Sequence, residues 1–133
     1  MKKYDNFLAA LENLKKIRDY APPYDIVTET GLVHLFSICF EQAWKAMKEI
    51  LEEHGYADGR TGSPRMIIKL AYQAGMIASE EGWLELLDHR NAVAHSYNEE
   101  VALTIIGKTR ECYLELFLQL AEEIEGRWLG EGY

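Results

Sequence analysis

The segment Leu87-Asp88-His89-Arg90-Asn91-Ala92-Val93-Ala94-His95-Ser96-Tyr97 places an arginine, a histidine five residues on and a tyrosine two beyond within one short stretch. An always-charged guanidinium suits bidentate binding of phosphate, and an imidazole can take or give a proton near neutral pH. In one arrangement His95 is the general base on a ribose 2'-hydroxyl, Arg90 steadies charge on the phosphate, and a general acid protonates the leaving oxygen. RNA would then be cut without a metal. Asn91 would hold the imidazole or the phosphate, and Tyr97 would present a hydroxyl near the reacting centre. The same groups could instead bind a nucleotide phosphate and cut nothing. The plainer alternative is an arginine in a surface ion pair and a histidine satisfied structurally.

Spacing constrains how these residues meet. On a helix over residues 84–97, with roughly 100° per residue, Asp88, Asn91 and His95 share one face while Arg90 lies well round from His95. A joint site therefore needs the reach of Arg90, a break near the helix end, or a second subunit. A twofold interface would present two copies of each group across one cleft.

The elements that must carry this segment read as helices. Tyr4, Phe7, Leu8, Leu11, Leu14 and Ile17 form an amphipathic stripe, which predicts a first helix over residues 2–20 that stops before Pro22-Pro23. From Leu32 through Leu35, Phe36, Cys39, Phe40, Ala43, Trp44, Met47, Ile50 and Leu51 the helical spacing persists for six turns, with Gly55 placed to end it. Asp58 to Ser63 supply turn residues, and Ser63 before Pro64 predicts a third helix running to about Ala74 and closed by Gly75. Ser79-Glu80-Glu81 caps a fourth helix that carries Trp83, Leu84, Leu86 and Leu87 into the motif. A last helix runs from near Glu99 to about Arg127, and Leu114, Leu118 and Ala121 widen its apolar side enough for a deeply buried helix or a subunit interface. No segment alternates as a strand would, so the fold class is all-α, an antiparallel up-and-down bundle of four to five helices in a single domain over residues 1–133.

The bulk properties exclude several functions. A net charge of -8 opposes general attachment to nucleic acid, yet residues 59–98 hold four acidic and four basic groups, so the motif sits in an electrically neutral part. No apolar run is long enough to cross a membrane, and the amino terminus lacks the apolar core of a signal peptide, which predicts a cytoplasmic protein. Cys39 and Cys112 read as core thiols, and no histidine has metal-ligand spacing, so neither a metal nor another cofactor is expected. Phe40 and Trp44 fit the buried stripe and read as core rather than as a platform for a base. Glu41, one step off that stripe, could face Arg90 or a partner.

Together, Tyr4-Asp5-Asn6-Phe7, Phe40-Glu41-Gln42-Ala43-Trp44-Lys45, Ser63-Pro64-Arg65, Gly82-Trp83-Leu84-Glu85-Leu86-Leu87-Asp88-His89-Arg90-Asn91 and His95-Ser96-Tyr97 resemble the nucleotidyltransferase substrate-binding family of the HEPN superfamily. The likeness covers nearly the whole chain, although Gly31-Leu32-Val33-His34-Leu35 departs from a lead into the Phe-Glu block that is often more polar. The resemblance implies a homodimeric helical bundle that partners a separate minimal nucleotidyltransferase as a substrate-binding or regulatory subunit, with an RNA or nucleotide phosphate in the cleft. Related HEPN proteins are metal-independent ribonuclease toxins, whose arginine and histidine are matched by Arg90 and His95. Their nucleotidyltransferase antitoxins can adenylylate the tyrosine matched by Tyr97. Asn91, Asp88 and Glu41 are expected to support the cleft.

Overall fold

The computed structural model describes residues 2–56 and 62–129, all of whose regular structure is helical. Helix α1 spans Lys2–Leu14 and tightens into a 3-10 segment, Lys15–Asp19, which together fill the range expected of the first helix. Its stripe buries Tyr4, Phe7, Leu11, Leu14 and Ile17. Helix α2 spans Ile26–Glu53 and begins six residues before the apolar spacing does. That extra turn and a half exposes Ile26 and Val27, so no buried stripe marks it, and Asp25 caps it by accepting from the Thr28 N–H at 2.7 Å.

Gly55 closes α2 with φ at +80°, and the Tyr56 N–H donates to the Leu51 carbonyl at 2.8 Å. This left-handed closure is one that glycine adopts without steric cost. Asp58, Gly59, Arg60 and Thr61 of the expected turn lie outside the described residues. Helix α3 spans Pro64–Gln73, with the Ser63 hydroxyl accepting from the Met66 N–H and Gly75 at its end. Helix α4 spans Glu80–His95 and carries the motif, its first turn capped by the Ser79 hydroxyl accepting from the Gly82 N–H at 3.0 Å.

The last helix is not one regular piece. Helix α5, Glu99–Lys108, passes through a π turn at Thr109–Tyr113 into α6, Leu114–Glu123, and a second π turn follows at Ile124–Trp128. The wider turns shift the side-chain register, which explains how Leu114, Phe117 and Leu120 are buried along with Ala102, Ile105 and Ile106. Cys112 falls on the outer side of the first π turn and is exposed, which corrects its reading as a core thiol, whereas Cys39 is buried as expected.

Packing follows the up-and-down pattern, with α2 central and in contact with α1, α3, α4 and α5. The apolar stripes of all the helices meet in one core, where Trp83 lies edge-on to Phe117 and Phe36 stacks on Tyr113. No helix among the described residues is long and apolar enough to cross a membrane.

Candidate functional site

Arg90 lies on the inner side of α4, one turn beyond Leu86 and Leu87, so it extends the core-facing stripe with a charged residue. Such a guanidinium must find partners as it leaves water. Its Nη1 donates to Glu41 Oε2 on α2 at 3.1 Å, and the guanidinium lies over the Phe40 ring, 5.5 Å from the centroid. Glu41 Oε2 also accepts from the Trp44 indole N–H at 3.1 Å, while Lys45 Nζ lies 3.6 Å from Oε1. The spacing of Phe40, Glu41, Trp44 and Lys45 therefore has a local cause, because steps of one, three and four residues gather them round one carboxylate.

Phe40 and Trp44 are buried, as the stripe predicts, yet each also faces the charged pair. Sequence reasoning left the direction of Glu41 open, and the structure turns it toward Arg90. Arg90 Nε is buried and makes no hydrogen bond among the described residues.

Beside this pair runs a groove of about 440 Å³ between α2 and α4. Val33, Ile38, Val93 and Ala94 give it apolar walls, His34 and Ser37 edge it on α2, and Arg90 and Tyr97 reach it from α4 and just beyond. Apolar walls with a few convergent polar groups are the usual make-up of a small-molecule site. Tyr97 is 44% exposed, and its hydroxyl donates to the carboxyl group of Glu29, a residue of α2 that is only 3% exposed. Burial of the hydroxyl, followed by the hydrogen bond to Glu29, pushes the Tyr97 phenol above its ordinary titration range. Glu29 carried no sequence signal, since Thr28-Glu29-Thr30 precedes the apolar spacing.

The remaining motif residues point elsewhere. Asp88 is exposed and accepts from Arg65 Nη2 of α3 at 3.2 Å. Asn91 and His95 are exposed on the outer side of α4 and do not line the groove. The helix runs unbroken to His95, so no kink carries the imidazole round to Arg90 within one chain. The structure thus brings Glu41, Arg90 and Tyr97 together along one groove and leaves Asp88, Asn91 and His95 on another face.

A second polar chain lies on the flank of α4. Tyr113 donates to Glu85 Oε1 at 2.7 Å, Lys108 Nζ lies 3.4 Å from the same carboxylate, and His89 Nδ1 meets the Tyr113 hydroxyl. The hydrogen bond from Tyr113, then Lys108, holds the Glu85 carboxyl below its usual range, while burial and Glu85 push the Tyr113 phenol well up. Among the described residues no group of three or more histidine, cysteine, aspartate or glutamate side chains could hold a metal ion.

Residues 1–126 match the family described as nucleotidyltransferase substrate binding protein like. No curated protein matches the chain. Among solved structures, ttk003001694 from Thermus thermophilus is 28% identical with a TM-score of 0.73, over 93% of this chain and 99% of that one. HI0074 from Haemophilus influenzae, described as revealing the fold of a substrate binding domain of a nucleotidyltransferase, is 21% identical with a TM-score of 0.74, over 92% and 98% of the two chains. A chain of a toxin-antitoxin complex with AMP-PNP is 17% identical with a TM-score of 0.75, over 95% of each chain.

Proposed function

From the premise that the chain belongs to the nucleotidyltransferase substrate binding protein-like family, we propose that it is the substrate-binding or regulatory partner subunit of a separate minimal nucleotidyltransferase. It works as a cytoplasmic homodimer, and the groove between α2 and α4 takes a nucleotide or an RNA phosphate. The observation that carries this reading is the fixed guanidinium of Arg90, held by Glu41 and backed by Phe40 at the edge of an apolar groove. A guanidinium already oriented loses little freedom when it binds phosphate, and its remaining N–H groups can still form a fork. Tyr97, at the other polar end of the groove, is the hydroxyl that accepts a nucleotidyl group from the partner.

One further arrangement has its own support. His95 is exposed on the outer side of α4 with Asn91, so its imidazole is open to a second copy of the chain. That places a metal-independent ribonuclease toxin second, with Arg90 and His95 catalytic.

Co-expression with a minimal nucleotidyltransferase from the same genome tests both readings. The expected result is a stoichiometric complex on size exclusion with light scattering, two copies of this chain within it, and weaker nucleotide binding by at least tenfold in Arg90→Ala. Failure to form any complex removes the subunit reading. Cleavage of RNA by the isolated chain in EDTA, lost in His95→Ala, would put the toxin reading first.

A further inference from the structure

Glu29 is the one charged side chain that is buried among the described residues. A carboxyl group taken out of water is costly unless something satisfies it. Two features do so here. It stands in the first turn of α2, where the helix dipole favours negative charge, and it receives the hydroxyl of Tyr97. The second feature is unusual in its direction, because the donor is a half-exposed residue that lines the groove rather than a member of the core.

We infer that Glu29 is the general base that takes the phenolic proton when the Tyr97 oxygen accepts a nucleotidyl group. The inference rests on the reading of Tyr97 as an acceptor and names the residue that makes that transfer feasible. The Tyr97 oxygen attacks the α-phosphorus of a nucleoside triphosphate held by the partner, and a new oxygen–phosphorus bond forms. The bond from that phosphorus to the bridging oxygen breaks, pyrophosphate leaves with the electron pair, and the phenolic proton passes to the Glu29 carboxylate along the existing hydrogen bond.

The surroundings single out this group. Burial and the Glu29 contact push the Tyr97 phenol up, so phenolate is scarce at neutral pH and transfer depends on a base. Glu99 of α5 acts on Tyr97 through space only, and its exposed side chain makes no hydrogen bond to the phenol. Thr30 is the other hydrogen-bonding neighbour, and a hydroxyl is too weak a base for the task. His95 is two residues away in sequence, exposed, and is not hydrogen-bonded to Tyr97.

The test uses the complex with the nucleotidyltransferase, magnesium and ATP, followed by intact mass under single-turnover conditions from about pH 6 to pH 9. Wild-type protein should gain one nucleotidyl group at a rate nearly constant across that range. Glu29→Gln keeps the shape and can still accept a hydrogen bond, and it should slow transfer by about 100-fold while the complex still forms. Its rate should rise about tenfold per pH unit, because transfer then waits on spontaneous ionisation of the phenol. Equal rates in the two proteins, or a lower profile of unchanged shape, would overturn the role of Glu29 and leave the proposed function standing. A complex that forms without any mass gain, or with the gain retained in Tyr97→Phe, overturns the inference and the acceptor role together. Absence of a complex overturns both the inference and the subunit reading.

Discussion

Glu41 shows how much one carboxylate can organise. It accepts from Arg90 and from Trp44 and lies against Lys45, so Glu41→Ala leaves two half-buried or buried donors without an acceptor. Stability should fall by about 1–3 kcal/mol in urea unfolding, and Glu41→Gln should lose less because its amide oxygen still accepts. Arg90 and Tyr97 stood out in the motif at the level of sequence and line one groove, whereas His95, singled out with them, faces outward. Of their partners, Glu41 was marked with its direction open and Glu29 was not marked at all. Glu41 lies one step off an apolar stripe, which leaves its direction undetermined until α4 is placed against α2, and Glu29 lies in Thr28-Glu29-Thr30 ahead of the apolar spacing, where nothing in the sequence singles it out. Both are fixed by contacts with residues more than forty positions away, which periodicity does not encode.

At the level of elements, the start of α4 is the most tightly specified joint. A Cβ on Gly82 would lie 2.9 Å from the Ser79 hydroxyl oxygen and 3.1 Å from Leu116 Cδ1. Gly82→Ala should therefore displace the cap and press on α6, at a cost of about 1–3 kcal/mol, visible as a lower midpoint in thermal unfolding by circular dichroism. Ser79→Ala, which removes only the cap, should lose about 1 kcal/mol. The caps and stops at Ser63, Gly75, Ser79 and Gly55 could be read directly, because each has a local chemical reason. The early start of α2 and the π turns could not. Ile26 and Val27 bury nothing that would mark a helix, and a π turn at Thr109–Tyr113 answers to packing of Tyr113 against Phe36 and Glu85 rather than to its own sequence.

For the molecule as a whole, the response to alkali follows from what the core encloses. Burial pushes the Cys39 thiol and the Tyr4 and Tyr113 phenols up, so each takes its proton more tightly when folded than when unfolded. A raised folded titration contributes stability that is fully present below the unfolded value and is lost as pH rises past it, here from about pH 8.5 for the thiol and about pH 10 for the phenols. The urea midpoint should hold steady between about pH 7 and pH 8 and decline above about pH 9, with Tyr113→Phe reducing the decline. The net charge of -8 adds self-repulsion in the same direction as more groups ionise. The salt link between Arg90 and Glu41 joins positions 49 residues apart and closes only when the second and fourth helices have docked. The groove lined by this pair is thus a property of the docked helices, and a chain still emerging without its fourth helix has no such surface to offer.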